Sequence, residues 1–412
     1  MKPQEMFAPT LDAARSRIAA VRPAEYARSR NTLEGAVTRL SPYITHGFVS
    51  LPEVLAGVAA RHRLELRHKF VFELGWREYF RHVWRHRGDR ILRSLHEGPL
   101  PEAAYAPGMP ADIRQARTGL PVVDQAVRAL YATGYLHNHA RMWLASYVVH
   151  LRKVHWRAGA DWMLAHLLDG DLASNHLSWQ WVAGTGSHKP YLFNADNVAR
   201  HAPASWDCAG SVVDTSYEAL ETIARSPRPV PARPLEQGVE EPALCSRPPQ
   251  GAAPEAAEVA GRDVWLIHPW ALGEPPADLP AGCLRVAWWP TGHHEAWPWS
   301  AARWSFVDAR MSALAAVRWH GSRQQLALAL ATARSVHTLA DEHVDAQLPA
   351  GVHPHPALRL FPEVGRPCAS FSAWWTQVTR ESRRVSDLPG LRALAEQGSA
   401  GPLFAAGLGE RG

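Results

Sequence analysis

The sequence predicts a mainly α fold: an all-helical domain, then a linker, then a small α/β domain. Three observations predict it. Apolar residues recur at helical spacing through most of the first 200 residues, as in LDAARSRIAAV and LPEVLAGVAARHR. The stretch SPRPVPARPLEQGVEEPALCSRPPQGAAPEAAEVAG is rich in Pro, Ala and Glu, and reads as an extended, poorly ordered linker. After it, the strand-type runs DVWLIHPWAL and CLRVAWWP alternate with helical RWSFVDARMSALAAV and RQQLALALATA and with a further candidate strand, SVHTLA, an order that suits a small parallel sheet. The expected division is residues 1–210 helical, 211–261 linker, 262–380 α/β and 381–412 a C-terminal tail. At 412 residues the chain exceeds one typical core, and 46% hydrophobic content suffices to fold two.

Composition narrows the function classes. No run of about 18 apolar residues exists, and the N-terminus lacks a charged-then-apolar leader, so a cytoplasmic protein without a membrane partner is expected. Cys208, Cys245, Cys283 and Cys368 stand far apart, which argues against a metal site and a disulfide scaffold and for reduced thiols. A net charge of +5 with 22 histidines permits a nucleic-acid partner without requiring one. The 18 tryptophans say more: many sit beside charged residues, where stacking or electron transfer would use them.

In chain order, the loop after the first helices carries Thr38, Arg39 and Ser41 just before Pro42. This small cluster either holds a phosphate through hydroxyls, amides and one guanidinium or caps neighbouring helices. Next, LRHKFVFELGWREYFRHVWRHRGDRILR places Glu73, Trp76, Arg77 and Phe80 on one face. Burying Glu73 unpaired is costly, so that face should line a polar pocket or a wet groove. Arg81, Arg85, Arg87, Arg90 and Arg93, with His82 and His86, read as a basic surface suited to a phosphodiester backbone or simply to solvent. Two further helices break at Thr133-Gly134, and the second presents Asn138, Arg141 and Met142 together.

The stretch Asp169–Trp181, DGDLASNHLSWQW, is the densest in chemistry. Gly170 between two acids reads as a turn opening a helix capped by Asp171. Asp171, Asn175 and Trp179 then form one stripe of acid, amide and indole, and Arg141 is a plausible partner for Asp169. Three helices with mixed polar faces suggest one shared cavity. In the α/β segment no GxGxxG or GxxxxGK follows a strand, so no nucleotide fingerprint is present there.

Taken together, TRLSPYITHG, ELGWREYFRH, GLPVVDQAVRAL with GYLHNHARM, and DGDLASNHLSWQW resemble the FAD-binding domain of the cryptochrome/photolyase family over residues 26–181. The resemblance implies an all-helical domain that holds FAD beside a pocket for a flipped-out pyrimidine dimer. Carried over by position, Tyr26, Thr38, Arg39, Leu40 and Ser41 match cofactor contacts, and Asp169, Gly170 and Asp171 match the segment at the flavin and ribose. Arg141 matches the cation paired to the first acid, and Asn175 the residue at flavin N5. Glu73, Trp76, Arg77, Asn138, His139, Met142 and Trp181 match positions of the substrate pocket, and Arg30 a DNA contact. Met142 resembles enzymes for cyclobutane dimers. The implied chemistry is electron donation to the dimer from light-excited reduced FAD, with Glu73 hydrogen-bonding the dimer bases.

Three departures qualify these expectations. Only about 25 residues precede Tyr26, so no standard antenna pigment site is expected. Trp179 and Trp156 match the inner and middle members of the tryptophan relay, but the outer member aligns with Ile113. The α/β segment faintly resembles the family's antenna fold at the opposite end of the chain. Repair of cyclobutane dimers in damaged DNA leads; a cryptochrome-like light sensor acting through an unidentified protein partner is the alternative.

Overall fold

The computed structural model describes residues 6–277 and 279–396; of the expected tail, residues 397–412 lie outside the described residues. Single turns aside, the first part is built from α1 (Leu11–Ala19), α2 (Pro23–Ser29), α3 (Ser41–Thr45), α4 (Leu51–Ala59), α5 (Lys69–Arg87), α6 (Pro121–Thr133), α7 (Asn138–Ser146), α8 (Trp156–His166), α9 (Leu172–Ala183), α10 (Ala195–His201) and α11 (Tyr217–Arg225). Local chemistry sets their ends. Ser50 and Glu53 close a capping box at α4, and Gly134, at φ 65°, stops α6 in the left-handed conformation. A side chain at position 134 would also strike Leu168, the residue just before the Asp169 turn.

The second part holds β1 (Asp263–Ile267), β2 (Leu284–Pro290), α12 (Ala301–Leu314), β3 (Val317–Gly321), α13 (Arg323–Leu330), β4 (Ser335–Leu339) and β5 (Val352–His355), followed by α14 (Phe371–Val378) and α15 (Pro389–Glu396). These five strands form one parallel sheet, in the order β3-β2-β1-β4-β5, and a separate antiparallel pair joins Leu244–Cys245 to Trp299–Ser300. The description "mainly α" therefore fits the first part only. Strand order reverses between β1 and β4, and loops at the carboxyl ends of these strands bound the crevice where open α/β sheets place ligands. Those loops carry His268, Trp270, Asp341 and His343, with His293 and His294 after β2.

The crevice does not open to solvent; it faces the helices. One continuous core joins Phe7, Tyr43, Phe48 and Val71 of the helical part to Trp270, Trp299, Phe306 and Trp374 of the second. Phe306 packs its ring 5.3 Å from Phe48 and 5.8 Å from Tyr43. Gly47, at φ 63°, allows the approach, because a Cβ there would stand 2.4 Å from the Trp270 carbonyl oxygen.

The segment between the two parts differs from the loose tether that its composition suggested. It is a strap: the amides of Val230, Leu235 and Val239 donate to the carbonyls of Leu151, Arg117 and Gln115, each at 2.7 Å. None of these three positions is a proline, so each keeps its donor. Glu241 then accepts from the Trp162 indole at 3.0 Å and pairs with Arg114. Low hydrophobicity does not keep a segment loose when its few free amides meet unpaired carbonyls on a preformed surface.

Candidate functional site

The opening turn of α9 organises the site. Asp171 caps the helix by accepting from the Ser174 amide at 2.8 Å. Asp169, two residues earlier, receives both bonds of its partner from one nitrogen of Arg141, at 2.9 and 2.8 Å. Burial alone would raise the Asp169 pKa; Arg141, and after it the Ser41 hydroxyl, outweigh burial and hold the group ionised below the usual range. The last residue of α3 reaches the same turn. The Thr45 hydroxyl donates to the Asp169 carbonyl at 3.3 Å and accepts from Arg77 at 2.9 Å.

Asp171 pairs with Arg81 at 2.6 Å, and Arg81 also bonds Asp341 at 3.2 Å and Glu342 at 2.7 Å. Arg85 adds a bond to Glu342 at 2.9 Å, while His86 contacts the Val364 carbonyl and His82 accepts from the Cys368 amide. The basic face expected to meet a phosphodiester backbone is thus largely a docking face for the second part of the chain. Acidic and backbone groups from residues 341–368 take up Arg81, Arg85, His82 and His86; Arg87, Arg90 and Arg93 stay exposed. Sequence spacing displayed the charges but could not display their distant partners.

The other predicted residues divide into three groups. On α9, Asn175 donates to the Ala160 carbonyl at 2.8 Å and is 8% exposed; among the described residues none donates to its amide oxygen. Tyr26 sets its ring edge-on to Phe70, with Arg39 left-handed at φ 51°, Leu40 buried and the Thr38 hydroxyl accepting from the Leu40 amide. Around the expected substrate pocket, Arg30 pairs with Glu73 at 3.1 Å and Asn138 contacts the Met142 sulfur at 3.4 Å. Burial raises the pKa of Glu73 against the pull of Arg30. His139 packs against His201, and burial and that neighbour push its pKa down to about 4.

The two expected walls are not alike. Trp181 is 39% exposed, with Tyr191 5.6 Å away. Trp76 instead stacks on Phe371 of α14 at 4.0 Å and 10°. Among the described residues no ring contact joins Trp76 to Trp181. Trp156 and Trp179 are buried, the latter so close to α8 that a Cβ on Gly159 would stand 2.3 Å from its ring. Ile113 has no exposed surface, and the strap runs beside its helical turn.

Arg303, unmarked in the sequence reading, completes the charge pattern. It comes from α12, is 1% exposed, and donates to the carbonyls of Gly170 at 2.5 Å and Leu164 at 3.3 Å. Gly170 makes this contact possible, since a Cβ there would lie 2.5 Å from the guanidinium. The Arg303 guanidinium lies 4.0 Å over the indole of Trp299, which precedes the helix, so no helical spacing announced the pair. Among the described residues, Arg77 and Arg303 have no carboxylate within 4 Å. Arg303 Nε, Trp270 Nε1 and both His294 nitrogens are buried without partners. A surplus of buried cations and donors fits a ligand rich in anionic and acceptor atoms, as a flavin dinucleotide is.

Comparison with known proteins agrees with this donor set. Residues 70–226 match the family described as the FAD binding domain of DNA photolyase. A deoxyribodipyrimidine photo-lyase from Streptomyces griseus is 37% identical over 172 residues, covering 40% of this chain and 36% of the relative. A cryptochrome DASH from Idiomarina loihiensis is 31% identical over 169 residues, covering 39% and 38%. The chain thus spans well under half the length of these relatives. A Synechocystis cryptochrome structure overlays with a TM-score of 0.42 at 27% identity, covering 46% of this chain and 43% of that one. Residues 70–226 are thus similar to the FAD-binding domain shared by photolyases and cryptochromes, the part of the chain in which FAD is expected to bind.

Proposed function

We propose that this protein is a light-driven lyase for cyclobutane pyrimidine dimers in DNA. Asp169, Asp171, Asn175, Arg141 and the Tyr26 and Thr38–Ser41 segments hold the cofactor. Glu73, Trp76, Arg77, Asn138, His139, Met142 and Trp181 receive a flipped-out dimer, and Arg30 meets the DNA. Reduced FAD, when bound, supplies a light-driven electron and takes it back after ring cleavage. The protein's own tasks are positional and electrostatic: Trp181 offers a stacking face, Asn138 an amide for base edges, and Glu73 a carboxyl beside them. The observation that carries the reading is the exposed indole of Trp181 on the same helix as the buried Asp171–Asn175 stripe. A stacking platform for a base and a polar cradle thereby share one rigid element.

A second reading, a light sensor without repair, draws on a specific observation too. Trp76 is already stacked on Phe371, Glu73 already paired with Arg30, and the basic face of α5 already docked. The two readings separate in one experiment. The flavin is reduced chemically, so that Trp156, Trp179 and the aliphatic Ile113 position do not limit the result. DNA carrying one defined thymine dimer is then illuminated beside a dark control. Light-dependent loss of the dimer is expected. An undiminished dimer with full FAD occupancy sinks the lyase reading and leaves the sensor.

A further inference from the structure

We propose that Arg303, delivered by the α/β part of the chain, is a positioning residue that tunes the bound flavin, favouring its reduced anionic form. The inference depends on FAD lying at the Asp169–Asp171 turn, and not on dimer repair.

A guanidinium that is 1% exposed and has no carboxylate within 4 Å among the described residues is an expensive thing to bury. Proteins of ordinary stability retain such a group only where something else needs its charge. Its two bonds go to neutral carbonyls, those of Gly170 and Leu164, and its Nε has no partner. The indole of Trp299 beneath it contributes a weaker attraction.

A clamp between the two parts of the chain does not explain the charge. A neutral donor would serve the two carbonyls, and the neighbouring acids, whose charges reach Arg303 and partly offset its burial, are hydrogen-bonded to other arginines: Asp169 to Arg141, Asp171 to Arg81. Position is the remaining clue. Arg303 bonds the carbonyl of the residue between the two acids, so its cation stands behind the turn that cradles the cofactor. In a dry site, charge placed there acts on whatever the turn holds. Arg77, the other guanidinium without a carboxylate, approaches the same turn from α5 through Thr45. Reduction of FAD by two electrons and one proton adds one negative charge, and fixed cations nearby favour that product over the oxidised form.

The test measures the midpoint potential of FAD bound to the full-length protein, titrated with dithionite as electron donor, for wild type, R303M and R303K. R303M is expected to shift the potential down by about 30 mV or more, the tenfold change of a two-electron couple. R303K, which keeps the charge, is expected to stay near wild type. Equal potentials in wild type and R303M overturn the proposal and make Arg303 a clamp. Should R303M not fold, R303Q, which keeps a donor for the two carbonyls without the charge, takes its place: the same drop is expected, and a potential equal to wild type overturns the proposal. D169N separates this from the placement of the cofactor. Full FAD occupancy in D169N would move FAD away from the turn, whatever Arg303 does.

Discussion

Trp181 is the residue whose role is easiest to isolate, because it is 39% exposed and among the described residues its one ring neighbour is Tyr191. Trp181→Ala is expected to leave stability within about 0.5 kcal/mol, as for surface sites in general. It should weaken binding of dimer-containing DNA by roughly 1–3 kcal/mol, the usual worth of base–aromatic stacking. Parallel denaturation and DNA titrations at fixed salt check both; equal affinity would remove Trp181 from the substrate pocket. Asp169 and Asp171 make a residue-scale prediction about acid. Both carboxyls sit below their ordinary value of 3.8, because the arginine partners outweigh burial. Their contribution is therefore fully present above about pH 4 and is lost as pH falls through the depressed values. Asp169→Asn strands Arg141 at a cost of about 3 kcal/mol, the low end for a broken buried pair since Arg141 keeps some solvent contact. It should also flatten the acid limb of a stability-against-pH curve. An acid limb identical to wild type would show that the pair contributes nothing.

At the scale of elements, α5 is where sequence and structure part. Its residues displayed an aromatic face and a run of cations. Only the fold shows that residues 341–375 cover both. Helical periodicity records which side chains share a face, and carries no trace of what arrives from 260 positions away. The α9 turn was legible for the opposite reason: Asp-Gly-Asp and the capping bond to Ser174 are local, and local chemistry is written in consecutive residues. Arg303 was not legible, because its partners are backbone carbonyls, which any sequence supplies. Glu78 tests the docking on α5. It accepts from the amides of Leu360 and Phe361 at 2.5 and 3.1 Å, and burial pushes its pKa up to about 7. A raised carboxyl supports the fold below its ordinary value of 4.5, and that support is lost as pH rises through about 7. Glu78→Gln keeps an acceptor without the charge. It should gain on wild type between about pH 5 and 7 and level off above that, read as the difference between two denaturation series. A constant difference across that range would mean Glu78 titrates normally.

At the scale of the molecule, the sequence reading and the fold agree on a helical part followed by an α/β part, and they differ on independence. A Pro-rich linker suggests two bodies on a tether. The structure has a strap bonded to the helices at three backbone positions and a core whose aromatic residues come from both sides. The sheet's own ligand crevice, at the reversal between β1 and β4, is closed by that contact: His343 lies 4.0 Å from Asp171, and Trp270 stacks on His343 at 4.5 Å. Neither part hides its apolar surface alone. Separating them would expose Phe48, Tyr43, Phe306 and Trp270, and each fully buried side chain of this size contributes about 1.5–3 kcal/mol. Loss of four such contacts, about 6–12 kcal/mol, is comparable to the whole stability of a typical domain. Unfolding should accordingly be one transition, with tryptophan fluorescence and far-ultraviolet dichroism falling together along a denaturant series. FAD binding, proposed at residues of the helical part, should move the whole curve and not one portion of it. Two separated transitions, with FAD shifting only one, would mean that the shared core is too weak to couple the parts. The influence of Arg303 on the flavin would then have to survive undocking.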